Sequence, residues 1–435
     1  MKKSDSSKNI VMNPPKSEAV WPTVHLRHGE AERIQAGHPW IYARNIQKVT
    51  QDPSDGSVVQ VRDHRRRFLG VGFFNGQSKI RVRLLSREKQ DLDKTFFVRK
   101  CQQALLWRQR HLPNRACFRL IHAEGDGLSG LTVDCYGDQL VVQTTSLGMD
   151  QRLPMITEAL VEVMAPSRII ERNDSIGRSM EGLEPRKSVL YQKQGSSFGD
   201  SVRVEMNSLE WDIPLDQGHK TAVYLDQYEN YRRLGELTAS MKAPRVLDAF
   251  TFMGGFALHC AKAGASKVIA IDQSQEALQA ADHSARANDL EPRCEWIHGN
   301  VFDWLKEHSK EPDADSLFDL IILDPPSFTR NRRSMGDAMR GYKEIHLRAM
   351  RLLKPGGLLA TFCCSHHIDA QAFESSVIQA AMDNRWILRR VASFGQLADH
   401  PVVPSIPETQ YLKGFCYQRL EDGFIADPEV PSARA

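Results

Sequence analysis

Three short stretches bring together side chains whose chemistry can act in concert. The first is VLDAFTFMGGFALHCAKAGASKVIAIDQS, residues 246–274. An apolar run holds Asp248, the pair Gly254-Gly255 opens a helical pattern, and a second apolar run ends in Asp272. Glycines let backbone approach a ligand closely. An acid ~20 residues beyond the first strand is placed to accept both hydroxyls of a ribose. There is no G-x-G-x-x-G, and Asp248 would repel a pyrophosphate. The pattern suits a nucleoside carrying a cationic amino-acid part, as S-adenosylmethionine does. A plain strand–helix turn is the bland alternative.

The second stretch is Asp324-Pro325-Pro326-Ser327-Phe328, which closes the apolar run 318–323. Two prolines remove backbone donors and stiffen the loop, fixing an acid and an aromatic beside one crevice. The third is Thr361-Phe362-Cys363-Cys364-Ser365, followed by His366 and His367. A crevice-facing thiol can act as a nucleophile if a cation or donor favours its thiolate. A strand cysteine is otherwise a small inert hydrophobe. Neighbours on a strand face opposite ways, so one of this pair must be inert. A polar loop, Gln217–Gln227, precedes the first stretch and reads as a site loop or a linker.

The surrounding pattern indicates what holds these residues. From residue 245 onward, strand and helix patterns alternate: strands at 245–250, 267–272, 318–326 and 358–365, helices at 254–264, 274–289 and 336–353. Such alternation predicts a doubly wound, mostly parallel α/β sheet. Ligands of such sheets sit beyond the carboxyl ends of the strands. Residues 21–85 instead hold short runs separated by turns, SVVQVRD, FLGVGFFN and KIRVRLL, which predict a small β-barrel. Arg65, Arg66 and Arg67 fall in a hairpin turn, and Arg81 and Arg83 share one strand face. Between them, a helix at 92–112, strands within 118–146, a helix at 151–164, and strands near 168–172 and 188–192 predict a mixed α/β unit. The segment 202–213 predicts a further strand pair.

Composition narrows the class. At ~150 residues per domain, 435 residues suggest about three domains. With 41% apolar and 26% charged residues, wholesale disorder is excluded. No apolar run approaches the ~20 residues of a membrane helix, and MKKSDSSKNIVMNPPKS lacks the apolar core of a secretory signal. The eight cysteines form no C-x-x-C pair, so zinc ligation has no support and a cytoplasmic chain with reduced thiols is expected. Residues 1–90 carry 17 Lys and Arg against 8 Asp and Glu, whereas the rest carries 40 against 46. A basic segment on a mildly acidic body points to a polyanion partner.

With these residues in hand, the chain resembles the S-adenosylmethionine-dependent ribosomal RNA methyltransferases of the large-subunit methyltransferase I type. These are class I enzymes that methylate cytosine C5 in 23S rRNA. The resemblance spans about 24 to 418. Its markers are His38-Pro39-Trp40, Gly125-Asp126-Gly127-Leu128 with Gly130, the loop Gly218–Gln227, Phe250 with Gly254-Gly255, and the Asp-Pro-Pro loop. Arg340-Gly341-Tyr342-Lys343, Thr361–Ser365, Asp399-His400-Pro401 and Tyr411-Leu412-Lys413-Gly414-Phe415 complete the set.

The resemblance implies a disordered tail over 1–20, a PUA-like RNA-binding domain over 21–90 and a mixed α/β domain over 91–200. A Rossmann-like methyltransferase domain over 201–420 and a flexible tail over 421–435 follow. It implies that Asp248, Phe250, Gly254 and Gly255 form the methionine-side loop, that Asp272 holds the ribose, and that Asn300 and Val301 lie near adenine. Tyr224, Asp226 and Gln227 would line the cofactor pocket, with Asp324 and Pro325 between cofactor and base. Cys364 would be the nucleophile, Asp324 would bond the N3 side of cytosine, and the base would leave its stack to reach them. Arg65, Arg66, Arg67, Arg81 and Arg83 would meet RNA. The implied partner is 23S rRNA or a large-subunit assembly intermediate, with a homodimer admitted and no membrane.

Cys363, where a small polar residue is commoner, and His366-His367, where a glycine-containing turn is usual, depart from the pattern on the substrate side. Two other readings use the same residues: methylation of another RNA atom such as a guanine nitrogen, and a non-catalytic RNA-binding assembly factor.

Overall fold

A computed structural model describes residues 20–199, 201–215, 223–310, 317–329 and 335–420. The expected tails, apart from Val20, and positions 217–222 of the polar loop lie outside the described residues.

The N-terminal strands are β1 (Thr23–Leu26), β2 (Trp40–Tyr42), β3 (Ile46–Val49), β4 (Val58–Arg62), β5 (Phe68–Phe74) and β6 (Ile80–Ser86). A single helical turn, α1 (Glu32–Gln35), follows β1, and the six strands form a sheet in the order β2-β6-β5-β4-β1-β3. Period-two alternation turns Val24, Leu26, Val59, Val61 and Val82 into its core.

The middle region consists of α2 (Lys94–His111), β7 (Cys117–His122), β8 (Leu131–Tyr136), β9 (Gln139–Thr144), α3 (Leu147–Gln151), α4 (Leu153–Met164), β10 (Arg168–Asn173) and β11 (Arg186–Gln192). Its strands lie in the order β11-β10-β9-β8-β7. Asp93 caps α2 by accepting from the Phe96 N–H at 2.9 Å. The buried stripe Phe97, Cys101 and Ala104 of α2 then joins Ile156 and Leu160 of α4 in one core.

A hairpin, β12 (Ser201–Met206) and β13 (Leu209–Pro214), leads into the largest sheet. Its strands are β14 (Arg245–Ala249), β15 (Lys267–Asp272), β16 (Cys294–His298), β17 (Phe318–Leu323), β18 (Leu353–Cys363), β19 (Leu388–Gly395) and β20 (Lys413–Arg419). The helices between and before them are α5 (Tyr228–Ala239), α6 (Gly255–Lys262), α7 (Gln275–Ala287), α8 (Val301–His308), α9 (Met335–Arg351) and α10 (Ala370–Asp383). The order is β16-β15-β14-β17-β18-β20-β19, with β20 antiparallel to both its neighbours and β16, β15, β14, β17 and β18 paired in parallel. Two separate apolar clusters cover the two faces, as expected of a doubly wound, mostly parallel sheet.

The order reverses between β14 and β17, and the register aligns the strand ends there. Ala249 pairs with Ile271 on one side and Leu323 on the other, and Leu323 pairs with Thr361. The residues just past these ends therefore share one edge. The strand expected over 358–365 runs instead from Leu353 to Cys363, because Leu353 already pairs with Phe318 and the Lys354–Gly357 turn, with Gly356 at φ 75°, bulges out before pairing resumes at Leu358. Cys364 consequently stands beyond the last ladder residue.

The three larger sheets are tied by polar contacts. Trp40 donates its indole N–H to Glu124 at 2.9 Å, and Arg83 pairs with Glu181 at 2.9 Å. His38 lies 3.0 Å from Glu408, and Arg108 donates to the Asp399 carbonyl at 2.7 Å.

Candidate functional site

The loop after β14 is built around a buried carboxylate. Asp248 Oδ2 accepts from the Thr251 hydroxyl at 2.6 Å and the Ala257 N–H at 2.9 Å. Its other oxygen has no hydrogen-bond partner among the described residues. Complete burial pushes this carboxyl up to about 7, against the opposing pull of those two bonds, with the nearby Asp272 charge adding to the rise. Phe250 and Phe252 both take positive φ, 67° and 51°, an uncommon state for bulky residues. Gly254 at φ 78° completes the turn, and a Cβ there would meet the Trp296 ring at 2.9 Å. A Cβ on Gly255 would strike the Tyr231 ring at 2.3 Å. Only glycine fits at either place.

Asp272 braces this loop from the next strand. Its Oδ2 accepts from the Phe252 N–H at 2.8 Å and its Oδ1 from the Ser274 N–H at 2.9 Å. Each oxygen retains a lone pair, and the carboxylate is only half-buried, so both can still accept from a diol. The Gly299 N–H bonds the Asp272 carbonyl at 3.0 Å, bringing the end of β16 alongside. There Asn300 caps α8 through the N–H groups of Phe302 and Asp303, and Val301 is buried beneath it. The structure thus gathers Asp248, Phe250, Gly254, Gly255, Asp272, Asn300 and Val301 around adjoining strand ends.

On the other side of the switch point, the Asp324 N–H reaches the Ala249 carbonyl at 3.3 Å, and Pro325 is buried. Gln227 donates to Asp324 Oδ2 at 3.0 Å and is itself held by Asn230 at 2.6 Å. Asp226 accepts from the Tyr411 hydroxyl at 2.6 Å. The Tyr224 ring lies 4.9 Å from that of Phe252, and burial raises its hydroxyl above the ordinary tyrosine value. Cys364 Sγ is 4.0 Å from the Pro325 carbonyl and half-buried, whereas Cys363 is wholly buried in the core under α9 and α10. Of the adjacent pair, only Cys364 reaches the crevice.

Several residues here carry no distinct signal in the sequence. Thr251 supports Asp248, Asn230 supports Gln227, and Tyr411 orients Asp226. Lys413 faces Cys363 in the ladder and donates its ammonium to the carbonyls of Ser365 and Ile368, gripping the turn after Cys364. Burial holds this lysine below its ordinary value, while Cys363 and Cys364 pull the other way. Tyr411 and Lys413 both belong to a quoted marker, which was the available clue. His366 lies near the Tyr411 ring at 5.4 Å. Among the described residues no cluster of histidines, cysteines and acids could hold a metal.

The arginines separate into two groups. Arg65, Arg66 and Arg67 are exposed on the β4–β5 turn, which Asp63 ties by accepting from the N–H groups of Arg65 and Arg67. Arg81 is half-buried against the Asn75 carbonyl. Arg83 is placed elsewhere: it lies over the Trp40 ring and pairs with Glu181 and Glu124 between two sheets.

An S-adenosylmethionine-type ligand fits this edge. The unpartnered, buried Asp248 oxygen can take up negative charge when a cation lies above the loop, Gly254 and Gly255 keep the backbone bare, and Asp272 presents a diol acceptor. Because Asp248 is sealed, a cation above the loop would meet its field rather than its oxygens.

Comparison with known proteins agrees. A family described as S-adenosylmethionine-dependent methyltransferase matches residues 195–394, and a PUA-like domain matches 24–87. The chain is 36% identical over 402 residues to the ribosomal RNA large subunit methyltransferase I of Vibrio parahaemolyticus, covering 91% of this chain and 99% of that one. It is 37% identical over 397 residues to the protein of the same name from Aliivibrio fischeri, covering 90% and 98%. A structure solved in complex with SAH, SMU.776, superposes with a TM-score of 0.76 at 21% identity, covering 91% and 99%. The fold and these extended matches establish that the chain belongs to the large subunit methyltransferase I family of S-adenosylmethionine-dependent methyltransferases.

Proposed function

We propose that the protein methylates C5 of a cytosine in 23S rRNA through a Cys364 thiolate. The observation that carries this reading is the half-buried Cys364 sulfur beside the Asp-Pro-Pro loop, with its neighbour Cys363 sealed away. Nitrogen methylation needs no thiol there. Cytosine C5 is too weak a nucleophile to take a methyl group unaided.

S-adenosylmethionine, when bound, supplies an electrophilic methyl group. Asp248, Phe250, Gly254 and Gly255 would hold its methionine side, Asp272 its ribose, and Asn300 and Val301 its adenine. Tyr224, Asp226 and Gln227 would close the pocket. Cys364 Sγ bonds to C6 of a base turned out of its stack, and the displaced π electrons make C5 nucleophilic. Asp324, oriented by Gln227, hydrogen-bonds the N3 side. Once C5 has taken the methyl group, it loses its proton to a base. The Sγ–C6 bond then breaks, restoring the C5–C6 double bond and the thiolate.

The chain is read as working in three parts, 21–90 binding RNA, 91–200 joining, and 201–420 catalysing, in the cytoplasm. The separate sheets and the exposed Arg65–Arg67 turn support that division. The test is incubation with methyl-labelled S-adenosylmethionine and undermodified large-subunit rRNA, followed by nucleoside mass spectrometry. Label in 5-methylcytidine that vanishes in Cys364→Ala is expected. Label in a methylguanosine would overturn the thiolate chemistry.

A further inference from the structure

Helix α2 has two opposed stripes. Phe97, Cys101, Ala104 and Arg108 are buried, and Gln103, Leu106, Trp107, Arg110 and His111 face solvent at the same helical spacing. The outward stripe is not the expected polar one. Leu106 is 63% exposed and Trp107 44% exposed, two large apolar side chains on an otherwise polar stripe. The indole is not loose. Its N–H donates to the Ala398 carbonyl at 2.9 Å, and the His111 ring lies 4.0 Å away at 40°. The result is a fixed aromatic platform with one basic side chain, Arg110, beside it. From Lys94 to His111 there is no acidic residue.

The platform is continuous with the site. Ala398 precedes Asp399, which accepts from the Arg119 N–H at 2.9 Å and contacts His400 at 2.9 Å. The same loop continues to Tyr411, bonded to Asp226 next to Gln227 and Asp324. One loop therefore touches both the platform and the candidate active site.

We propose that Trp107 and His111 form a stacking platform for an unpaired nucleotide of the RNA substrate, flanking the target base, with Arg110 meeting its backbone. This rests on the reading of the protein as an RNA methyltransferase and adds a contact outside the PUA-like sheet. Exposed aromatics beside cations are how proteins hold single-stranded RNA. A second copy fits less well, because a two-fold interface would set this basic stripe against its own charges.

The test measures binding and methylation of undermodified large-subunit rRNA by the full chain. Trp107→Ala should weaken binding roughly 10-fold or more, the scale of one lost base stack, and raise KM while leaving kcat at saturating RNA unchanged. Trp107→Phe keeps a stacking ring but loses the N–H to Ala398, and should restore affinity to within about threefold. Arg110→Gln should reduce the slope of log affinity against log salt by about 0.7 to 1. If Trp107→Phe is as weak as Trp107→Ala, the residue is a loop anchor and the proposal fails. Unchanged affinity in Trp107→Ala while the wild type labels rRNA also overturns it, as does a wild-type dimer that Trp107→Ala dissociates. A wild type that neither binds nor labels rRNA overturns the functional reading instead.

Discussion

The two sides of the switch point are built differently. On the β14–β15–β16 side, Asp248, Thr251, Phe252, Gly254 and Asp272 are joined by hydrogen bonds within one local stretch of chain, one Asp248 oxygen excepted. On the β17–β18–β20 side, Asp324 depends on Gln227, Asp226 on Tyr411, and the turn after Cys364 on Lys413. A locally closed loop can be preformed by its own backbone. A site assembled from distant segments is only as well placed as the packing that delivers them.

The sharpest way to break this contrast is the cysteine pair. Cys364→Ala should lower 5-methylcytidine formation by at least about 10³-fold, the scale for loss of a covalent nucleophile, with little change in cofactor affinity or melting temperature. Cys363→Ala should leave turnover within a few-fold, and cost about 1 kcal/mol of stability through a small buried cavity. Single-turnover assays and thermal melts on both variants check this. Activity surviving in Cys364→Ala would remove the chemical reason for distinguishing the two.

Much of the first side was legible because its signals are contiguous. Glycines at a strand–helix turn, and acids at two strand ends, follow from the chain itself, and the register then sets them on one edge. The strand patterns of the N-terminal sheet were also readable, since Val59, Val61 and Val82 alternate cleanly. The edge strand β16 and the antiparallel pair β19 and β20 were not. β16 and β19 are largely half-buried or exposed, so neither hydrophobic run nor alternation marks them. Lys413 and Tyr411 acquire their meaning only through partners far away in the chain. Arg81 and Arg83 share a strand face, yet only the fold reveals that Arg83 is committed to Glu181 and Glu124.

Asp248 gives the local side its own test. Its folded value of about 7 lies above the ordinary 3.8. The protein without cofactor should therefore be most stable, as far as this group goes, below 3.8, and lose that contribution as pH rises toward about 7. The limiting slope is about 1.4 kcal/mol per pH unit. A bound cation should favour the carboxylate, so S-adenosylmethionine affinity should rise toward pH 7 by up to about tenfold per unit and then level off. Asp248→Asn should flatten both trends. Calorimetric titrations between pH 5.5 and 7.5 decide it, and an unchanged profile in the variant would separate Asp248 from cofactor binding.

The remote side predicts a smaller, different signature. Lys413→Met removes both the grip on Ser365 and Ile368 and a cation near the thiols. Alkylation of Cys364 by iodoacetamide, with Cys364→Ala as the blank, should then shift to higher pH, with roughly a tenfold slower rate near neutrality. Lys413→Arg should restore most of the rate. A thiol profile that does not move in Lys413→Met would reduce this lysine to a packing role.

The smallest effect on turnover is expected in the N-terminal sheet, where the same contrast recurs. The Arg65–Arg67 turn is held by its immediate neighbours Arg62 and Asp63, whereas Arg83 is held across two sheets. Neutralising Arg65 or Arg66 should weaken rRNA binding only a few-fold and lower the salt slope by about 0.7 to 1, with no change in melting. Arg83→Gln should do the reverse, costing about 3 kcal/mol by leaving buried Glu181 without its guanidinium partner, while the salt slope stays fixed. Binding titrations at several salt concentrations, read beside thermal melts, keep the two apart. A lowered slope in Arg83→Gln would mean that this junction opens to meet RNA, and that an arginine buried between sheets is part of the recognition surface after all.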